Sequence, residues 1–448
     1  MKQSRFGHTL FFYLLALIFH SSIAFADSAA APTKPFITEI SKINSGDTAW
    51  MLVSTAFVLM MTIPGLALFY SGLVRKKNAL STIGHSFSSV LLVSVLWGIL
   101  GYSLAFMPGS PWLGGMDRFF LKGLIFLKDE GKLTVHHAAT TIPESLYMMY
   151  QLTFAVITPA LISGAFAERM KFSSMMVFVG LWSLLVYSPI AHWVWEPSGW
   201  LAAKGVLDFA GGTAVHINAG IAGLVVALVL GRRSDFRTGN IAPHNLVLTL
   251  TGTFLLWVGW FGFNAGSALA ADGRAGMAMM TTHMATAAAA LSWGLIEYVH
   301  HKRASLLGLA SGAVSGLVAI TPAAGFVNFE GSLLIGIAAG IACYFCSTSL
   351  KEKFGYDDSL DVFGIHGVGG IVGSLLTGVL AVKEIGGVEG SFSIQLLGVI
   401  ATIIYSGLVT AVILFVIKNT FGLRVSREAE EEGLDLSEHG ESIESSHL

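Results

Sequence analysis

The chain has 448 residues, of which 54% are apolar and only 12% charged, and its formal net charge is -2. A charged fraction about half the usual quarter excludes an ordinary soluble globule, and a near-neutral chain whose basic residues sit in short loops excludes a nucleic-acid-binding surface. Runs of about 20 apolar residues, enough to cross a hydrocarbon core, recur along the sequence. Helices satisfy their own backbone in lipid, so the expected class is an all-α polytopic membrane protein.

In chain order, residues 1–26 begin with Lys2 and Arg5, pass through a short apolar stretch and end on Ala24-Phe25-Ala26 before Asp27. That pattern reads as a cleavable signal peptide, which leaves the mature N-terminus outside, with an uncleaved anchor as the alternative reading. Eleven spans are expected within a membrane domain at 27–417: 47–74, 79–106, 143–166, 172–191, 212–230, 245–269, 276–299, 305–322, 331–349, 362–383 and 392–417. The loops that then face inward collect Arg75, Lys76, Lys77, Arg169, Lys171, Arg232, Arg233, Arg237, Lys302, Arg303, Lys351 and Lys353. An excess of Lys and Arg marks the cytoplasmic side, so the expected location is the inner cell membrane with the C-terminus inside. Residues 418–448 turn Glu- and Ser-rich, and by composition alone they read as a solvated, partly disordered tail. The two cysteines, Cys343 and Cys346, lie as CYFC inside an apolar span. Thioredoxin-type chemistry needs a polar, accessible helix start, so both read as buried small hydrophobes.

A repeat runs through this pattern. Gly65, Phe69 and Gly72 in the first span recur at identical spacing as Gly259, Phe263 and Gly266 in the sixth. His216, Gly220, Ile221 and Gly223 in the fifth recur as His366, Gly370, Ile371 and Gly373 in the tenth. Blocks of five spans insert in opposite directions, which predicts two inverted five-helix repeats plus a final helix, with the functional site between the halves near the midplane.

Each histidine of the repeat stands in a run of Gly, Ala, Val and Ile. A charged group in a span costs at least about 2.5 kcal/mol, so an ionisable residue there faces a cavity or a partner. The inverted halves would bring His216 and His366 together near their shared axis. Apolar surroundings disfavour imidazolium, and a neutral imidazole both donates and accepts, which suits a hydrogen bond to a small polar solute or a proton relay. Two nitrogens without Cys or carboxylate neighbours fall short of a four-ligand zinc site, so no metal or other cofactor is expected. His85 and His283 match no repeat and read as packing residues. His192 sits at a helix end, and His136, His137, His244, His300 and His301 fall in loops.

Several long, ordered stretches, among them DTAWMLVSTAFVLMMTIPGLALFYSGLVRKKN, FAERMKF, LDFAGGTAVHINAGIAGL, WFGFNAGSA, SLLGLASGAVSGLVAITPAAG and DVFGIHGVGGIVG, together resemble bacterial ammonium transporters of the ammonium transporter/Rh superfamily. The resemblance extends from Asp47 to Gly440. It implies a homotrimer with one pore per subunit that transports ammonium or ammonia. Carried over by residue, it places the twin pore histidines at His216 and His366, and the paired rings that obstruct the pore at Phe154 and Phe263. It assigns recruitment of the cation at the outer mouth to Trp195, Phe154 and Ser267, with Tyr150 at an aromatic position where related sequences often carry Phe. It makes Asp208 the essential acidic residue; from its place ahead of Gly211 and Gly212 at a span start, an Asp is expected to cap backbone N–H groups rather than hold the cation. HWVWEPSGWL departs from the pattern by one residue, so Trp200 is the fallback for Trp195. In the tail, GLRV, EGLD and HGE resemble the family's cytoplasmic end, which implies coupling between subunits and contact with a PII-type nitrogen-regulatory protein.

Two other classes compete. A membrane sensor would report ammonium through the tail with weak flux, and a membrane enzyme would need a nucleophile–base set, metal cluster or phosphate loop that the sequence does not offer. A gas channel like the Rh branch is a narrower variant of the transport reading.

Overall fold

The computed structural model describes residues 33–239 and 241–443. The expected signal peptide lies outside the described residues. Nine helices among the described residues are long and apolar enough to cross a membrane: Ser45–Leu73, Lys76–Phe106, Glu144–Phe166, Phe172–Trp195, Gly212–Leu230, Leu246–Ala268, Phe329–Phe354, Phe363–Leu380 and Phe392–Thr420. The remaining two expected spans are also helical. Gly273–His301 is rich in Ala, Gly and Thr, whose small side chains contribute little hydropathy, and Leu306–Ile320 has only 15 residues.

Small residues let these helices approach closely, as membrane packing favours. A Cβ built at Gly252 would stand 2.3 Å from Phe69 N, and one at Gly259 would stand 2.3 Å from Met61 Cγ, which seats the sixth span on the first. The two repeat histidines lie in comparable settings. Each occupies a π-helical turn, Gly212–Ile217 for His216 and Phe363–Gly367 for His366. Such turns widen a helix locally and are frequent at functional sites. Their surroundings are reciprocal too: Gly220 packs on Gly367, and Gly370 packs on Gly212 and Ile217.

The chain is not wholly helical. Phe36–Glu39, Phe126–Leu127 and Lys132–Val135 form a three-stranded antiparallel sheet, and Gly109–Ser110 pairs with Leu113–Gly114. The sheet joins the segment ahead of the first span to the long stretch between Phe106 and Glu144, where backbone groups pair with each other outside the helices.

The tail also departs from its composition. Helices Arg427–Glu432 and Leu434–His439 dock on the membrane domain. Buried Asp435 accepts from Leu80 N and Ser81 N at 3.0 and 2.7 Å, thereby capping the second span. Buried Glu430 accepts from Ser234 N at 2.7 Å and pairs with Arg424 at 2.6 Å. Acidic residues that find N–H groups and arginines are held rather than solvated. Beneath the tail, Glu168 receives Arg75, Asn78 and Arg233, and Arg233 continues to Asp357. Of the cysteines, Cys343 is buried as expected, whereas Cys346, which opens the π-helical turn Cys346–Leu350, is only half-buried; both are free thiols.

Candidate functional site

The site is organised around Asp208. One carboxylate oxygen accepts from Gly211 N and Gly212 N at 2.8 and 2.6 Å, the other from Thr213 N and Ala214 N at 2.9 and 3.0 Å. All four are the unpaired donors of a helix start. Burial pushes this carboxyl up, to about 6, against the pull of the four N–H groups. Gly211 makes the turn possible at φ 113°, a left-handed conformation in which a Cβ would also strike Val215. The backbone oxygen of Asp208 accepts from Trp195 Nε1 at 2.9 Å. One residue therefore fixes both the helix that carries His216 and the tryptophan beside it.

His216 and His366 are both buried, and their rings lie 5.4 Å apart, nearly parallel at 15°. Their Nδ1 atoms approach to 3.3 Å, a hydrogen bond in which one ring donates and the other accepts. Two imidazolium rings would turn N–H against N–H, so at most one carries a second proton. His216 Nε2 has no partner among the described residues. Both rings line a cavity with Leu66, Ile157, Leu161, Val215, Trp260, Phe263 and Val314 among its walls, with ≈ 10 Å³ of free volume, about what one water-sized molecule occupies.

Phe263, which lines this cavity, packs on Phe154 with ring centroids 4.2 Å apart and planes tilted at 30°, and both rings are buried. Phe263 lies 6.0 Å from the His216 ring. Beyond them Trp195 meets Phe154 edge-on at 5.7 Å. Ser267 Oγ donates to Phe263 O at 2.9 Å and lies 3.2 Å from the Tyr150 hydroxyl. With its one proton spent on a carbonyl, the Ser267 oxygen offers only lone pairs elsewhere. Trp195 and Ser267 are partly exposed where the two phenylalanines are not. All the residues named from the resemblance thus fall into one column. Trp200 does not join it, packing instead on Trp112 and Trp193.

The other histidines stand apart. His85 rests against Phe166 and Phe172, and His283 lies exposed beside Trp257 and Phe261. Both ring nitrogens of His192 face backbone oxygens, of Ala105 at 3.1 Å and Ser110 at 2.8 Å. His136, His137 and Glu196 cluster closely enough to suggest a metal. Their hydrogen bonds fit one poorly: His136 donates to Phe106 O and accepts from Ala138 N, while His137 Nε2 is held by Glu196 at 3.1 Å.

Two residues that sequence reasoning passed over belong to the site. Trp260 stacks on His216 at 5.4 Å and 18°, and its indole donates to Thr321 Oγ1 at 2.9 Å. Trp260 stands three residues before Phe263, the helical spacing that places both on one face. Thr321 lies far off in sequence, and no local pattern connects it.

Comparison with known proteins gives the family. The model of the Ammonium Transporter Family matches residues 49–444. An ammonium transporter of Aquifex aeolicus is 53% identical over 409 residues, covering 90% of this chain and 94% of its own. One from Bacillus subtilis is 49% identical over 408 residues, covering 89% and 98%. Among solved structures, Mep2 of Candida albicans superposes with a TM-score of 0.80 at 35% identity, covering 87% of this chain and 89% of that one. The chain belongs to the ammonium transporter family.

Proposed function

We propose that the protein carries ammonium across the membrane by recruiting the cation, removing its proton and passing ammonia between the twin histidines. The observation that carries this reading is the His216–His366 pair in a narrow apolar cavity beside the closely packed Phe154 and Phe263 rings. A bare ammonium ion in such a lumen costs of order tens of kcal/mol by Born reasoning. Trp195, Phe154 and Tyr150 supply aromatic faces worth about 0.5–2 kcal/mol each to a cation, and Ser267 supplies a lone pair. Those contacts recruit ammonium without carrying it through. Ammonia then moves past the phenylalanines and hydrogen-bonds the imidazoles, while the proton follows along the paired rings. Potassium has no proton to give up, so selectivity rests on acid chemistry rather than pore width.

The same reading has the chain cross the membrane eleven times as two inverted repeats and a final helix, after removal of residues 1–26. The mouth with Trp195 then faces outward and the tail inward, in the inner membrane. The reciprocal seating of Gly220 and Gly370 supports the inverted repeat. The homotrimer rests on the resemblance of the chain as a whole, and a PII-type partner on that of the tail motifs.

The test is uptake of labelled methylammonium by cells lacking their own ammonium transporters. His216→Ala and His366→Ala are expected to lower uptake about a hundredfold, the low side of what a positioned proton-transfer group contributes. Uptake unchanged by both substitutions rejects the mechanism.

A further inference from the structure

HWVWEPSGWL, the stretch that departs from the family's pattern, places Glu196 directly after Trp195. Glu196 ends the helix that carries the tryptophan, its backbone N–H donating to His192 O at 3.2 Å. It is 1% exposed. Both carboxylate oxygens face His137 Nε2, at 3.1 and 3.2 Å, and Oε1 also accepts from the Ser198 hydroxyl at 3.2 Å. No lysine or arginine among the described residues pairs with it. Arg118, whose charge reaches the neighbouring His136, is spent on Glu144 at 2.8 and 3.0 Å. A carboxylate withdrawn from water is costly unless it is compensated, and one imidazole is what compensates this one.

The two adjacent histidines are not equivalent. His136 Nε2 donates to Phe106 O at 2.8 Å while its Nδ1 accepts from Ala138 N at 3.1 Å, so this ring is fixed as one neutral tautomer. His137, whose side chain is 2% exposed, has Nδ1 buried with no partner among the described residues, which leaves that nitrogen open to a second proton. Packed rings join the pair to the outer mouth. His137 lies 4.1 Å from His136, His136 stacks on Tyr147 at 4.2 Å, Tyr147 meets Phe106 edge-on at 5.4 Å, and Phe106 lies parallel to Trp195 at 6.4 Å. The titratable groups that face Glu196 and His137 are thus His136, Tyr147 from the helix Glu144–Phe166, and His192 from the helix that ends at Trp195; the last two feel the Glu196 charge. Behind His136 stand Tyr102 and the Arg118–Glu144 pair.

We infer that Glu196 is a further residue of the outer ammonium site, its carboxylate drawing the cation toward Trp195, and that a second proton on His137 cancels this attraction. The inference rests on the recruitment of the cation at the outer mouth proposed above. With His137 neutral, its Nε2–H donates to Glu196 and the pair carries one negative charge. When Nδ1 takes a proton from the outer solution the pair becomes neutral. Glu196 does not touch the cation. It acts through the field across the two ring layers of Tyr147 and Phe106, where water does not screen it. Over about 10 Å at an effective dielectric of about 20, one such charge changes the binding of a cation about tenfold. Aromatic faces and the Ser267 lone pair then supply the contacts, and Glu196 supplies the charge that they lack.

The test is the half-saturating concentration of labelled methylammonium in cells lacking their own ammonium transporters, with the outer pH set from about 8 to 5, where imidazoles change charge and methylammonium stays a cation. Glu196→Gln keeps an oxygen for His137 and Ser198 but no charge. At about pH 8 it is expected to raise the half-saturating concentration about tenfold over the parent, with little change in maximal rate, the signature of an interaction that only binds. Glu196→Asp should recover part of the difference. The ratio of variant to parent should narrow toward one as the pH approaches about 5, and His137→Gln should abolish the parent's own rise in half-saturation over that range. An unmoved half-saturating concentration in Glu196→Gln, a ratio that does not narrow, or a loss confined to maximal rate overturns the inference. Trp195→Ala is measured alongside: if it too leaves half-saturation unchanged, recruitment at this mouth fails, whereas an effect of Trp195→Ala without one of Glu196→Gln removes Glu196 alone. Should Glu196→Gln not fold, a His137→Gln protein whose half-saturation follows the parent's pH profile overturns the inference by itself.

Discussion

Gly220 lies against Gly367 so closely that a Cβ built at 220 would stand 2.2 Å from Gly367 N and 2.3 Å from its Cα. The two glycines belong to the helices of the paired histidines, one turn beyond His216 and one residue beyond His366. Their contact sets the separation of the imidazoles.

Gly220→Ala is therefore expected to cost stability by overpacking, about 1–3 kcal/mol and toward the upper end because backbone, not a side chain, must yield. Gly367→Ala meets chiefly the Phe363 ring at 2.7 Å, which can rotate, and should cost less. Thermal melting in detergent checks the order. Equal melting temperatures for the two variants would refute this account of the contact.

Asp208→Asn leaves one acceptor oxygen where two served four N–H groups. The expected loss is about 2 kcal/mol, the scale of a lost cap with charge-assisted bonds, together with loss of methylammonium uptake through a displaced Trp195 and His216. Normal uptake with a lowered melting temperature would separate the cap from the pore and count against their linkage.

Thr321→Val preserves shape near Trp260 and removes the acceptor of its indole N–H. An orphaned buried donor costs about 1–3 kcal/mol, and freedom of the Trp260 ring should weaken the stack on His216. Uptake measured beside melting is expected to show both losses. A variant as stable and active as the parent would show that Trp260 is held by packing alone.

Much of this site was legible in one sequence because repetition exposes it. His216 and His366 stand in the same short pattern, and the structure puts their Nδ1 atoms 3.3 Å apart. The membrane helices follow from apolar runs, Gly273–His301 included, which was expected at 276–299. The tail was misleading, since composition cannot tell that Glu430 and Asp435 find buried donors in distant segments. Thr321 was invisible for the same reason: its partner Trp260 lies 61 residues away.

The charge cluster beneath the tail carries an acid sensitivity. Burial alone would raise Glu168 and Asp357, yet Arg233 and Arg75 beside the first, and Arg233 and Arg169 beside the second, outweigh it and hold both carboxyls below their ordinary values. The folded state then binds fewer protons than the unfolded one as pH falls. The stabilisation is complete above the unfolded values, about 3.9 to 4.3, and drains away as pH drops through them toward the depressed folded ones. The cluster's own contribution to melting temperature, read as the difference between the parent and Glu168→Gln, should hold level from about pH 7 to 5 and fall below about pH 4. In Glu168→Gln the plateau is expected to be lower and the fall shallower; an identical acid limb in that variant would remove Glu168 from the account.

The most direct measurement is the current from reconstituted protein given equal pulses of ammonium and potassium. The account predicts a sustained ammonium current, no potassium current, and loss of the ammonium current in His216→Ala. A potassium current in the wild type, or an undiminished ammonium current in His216→Ala, would contradict it.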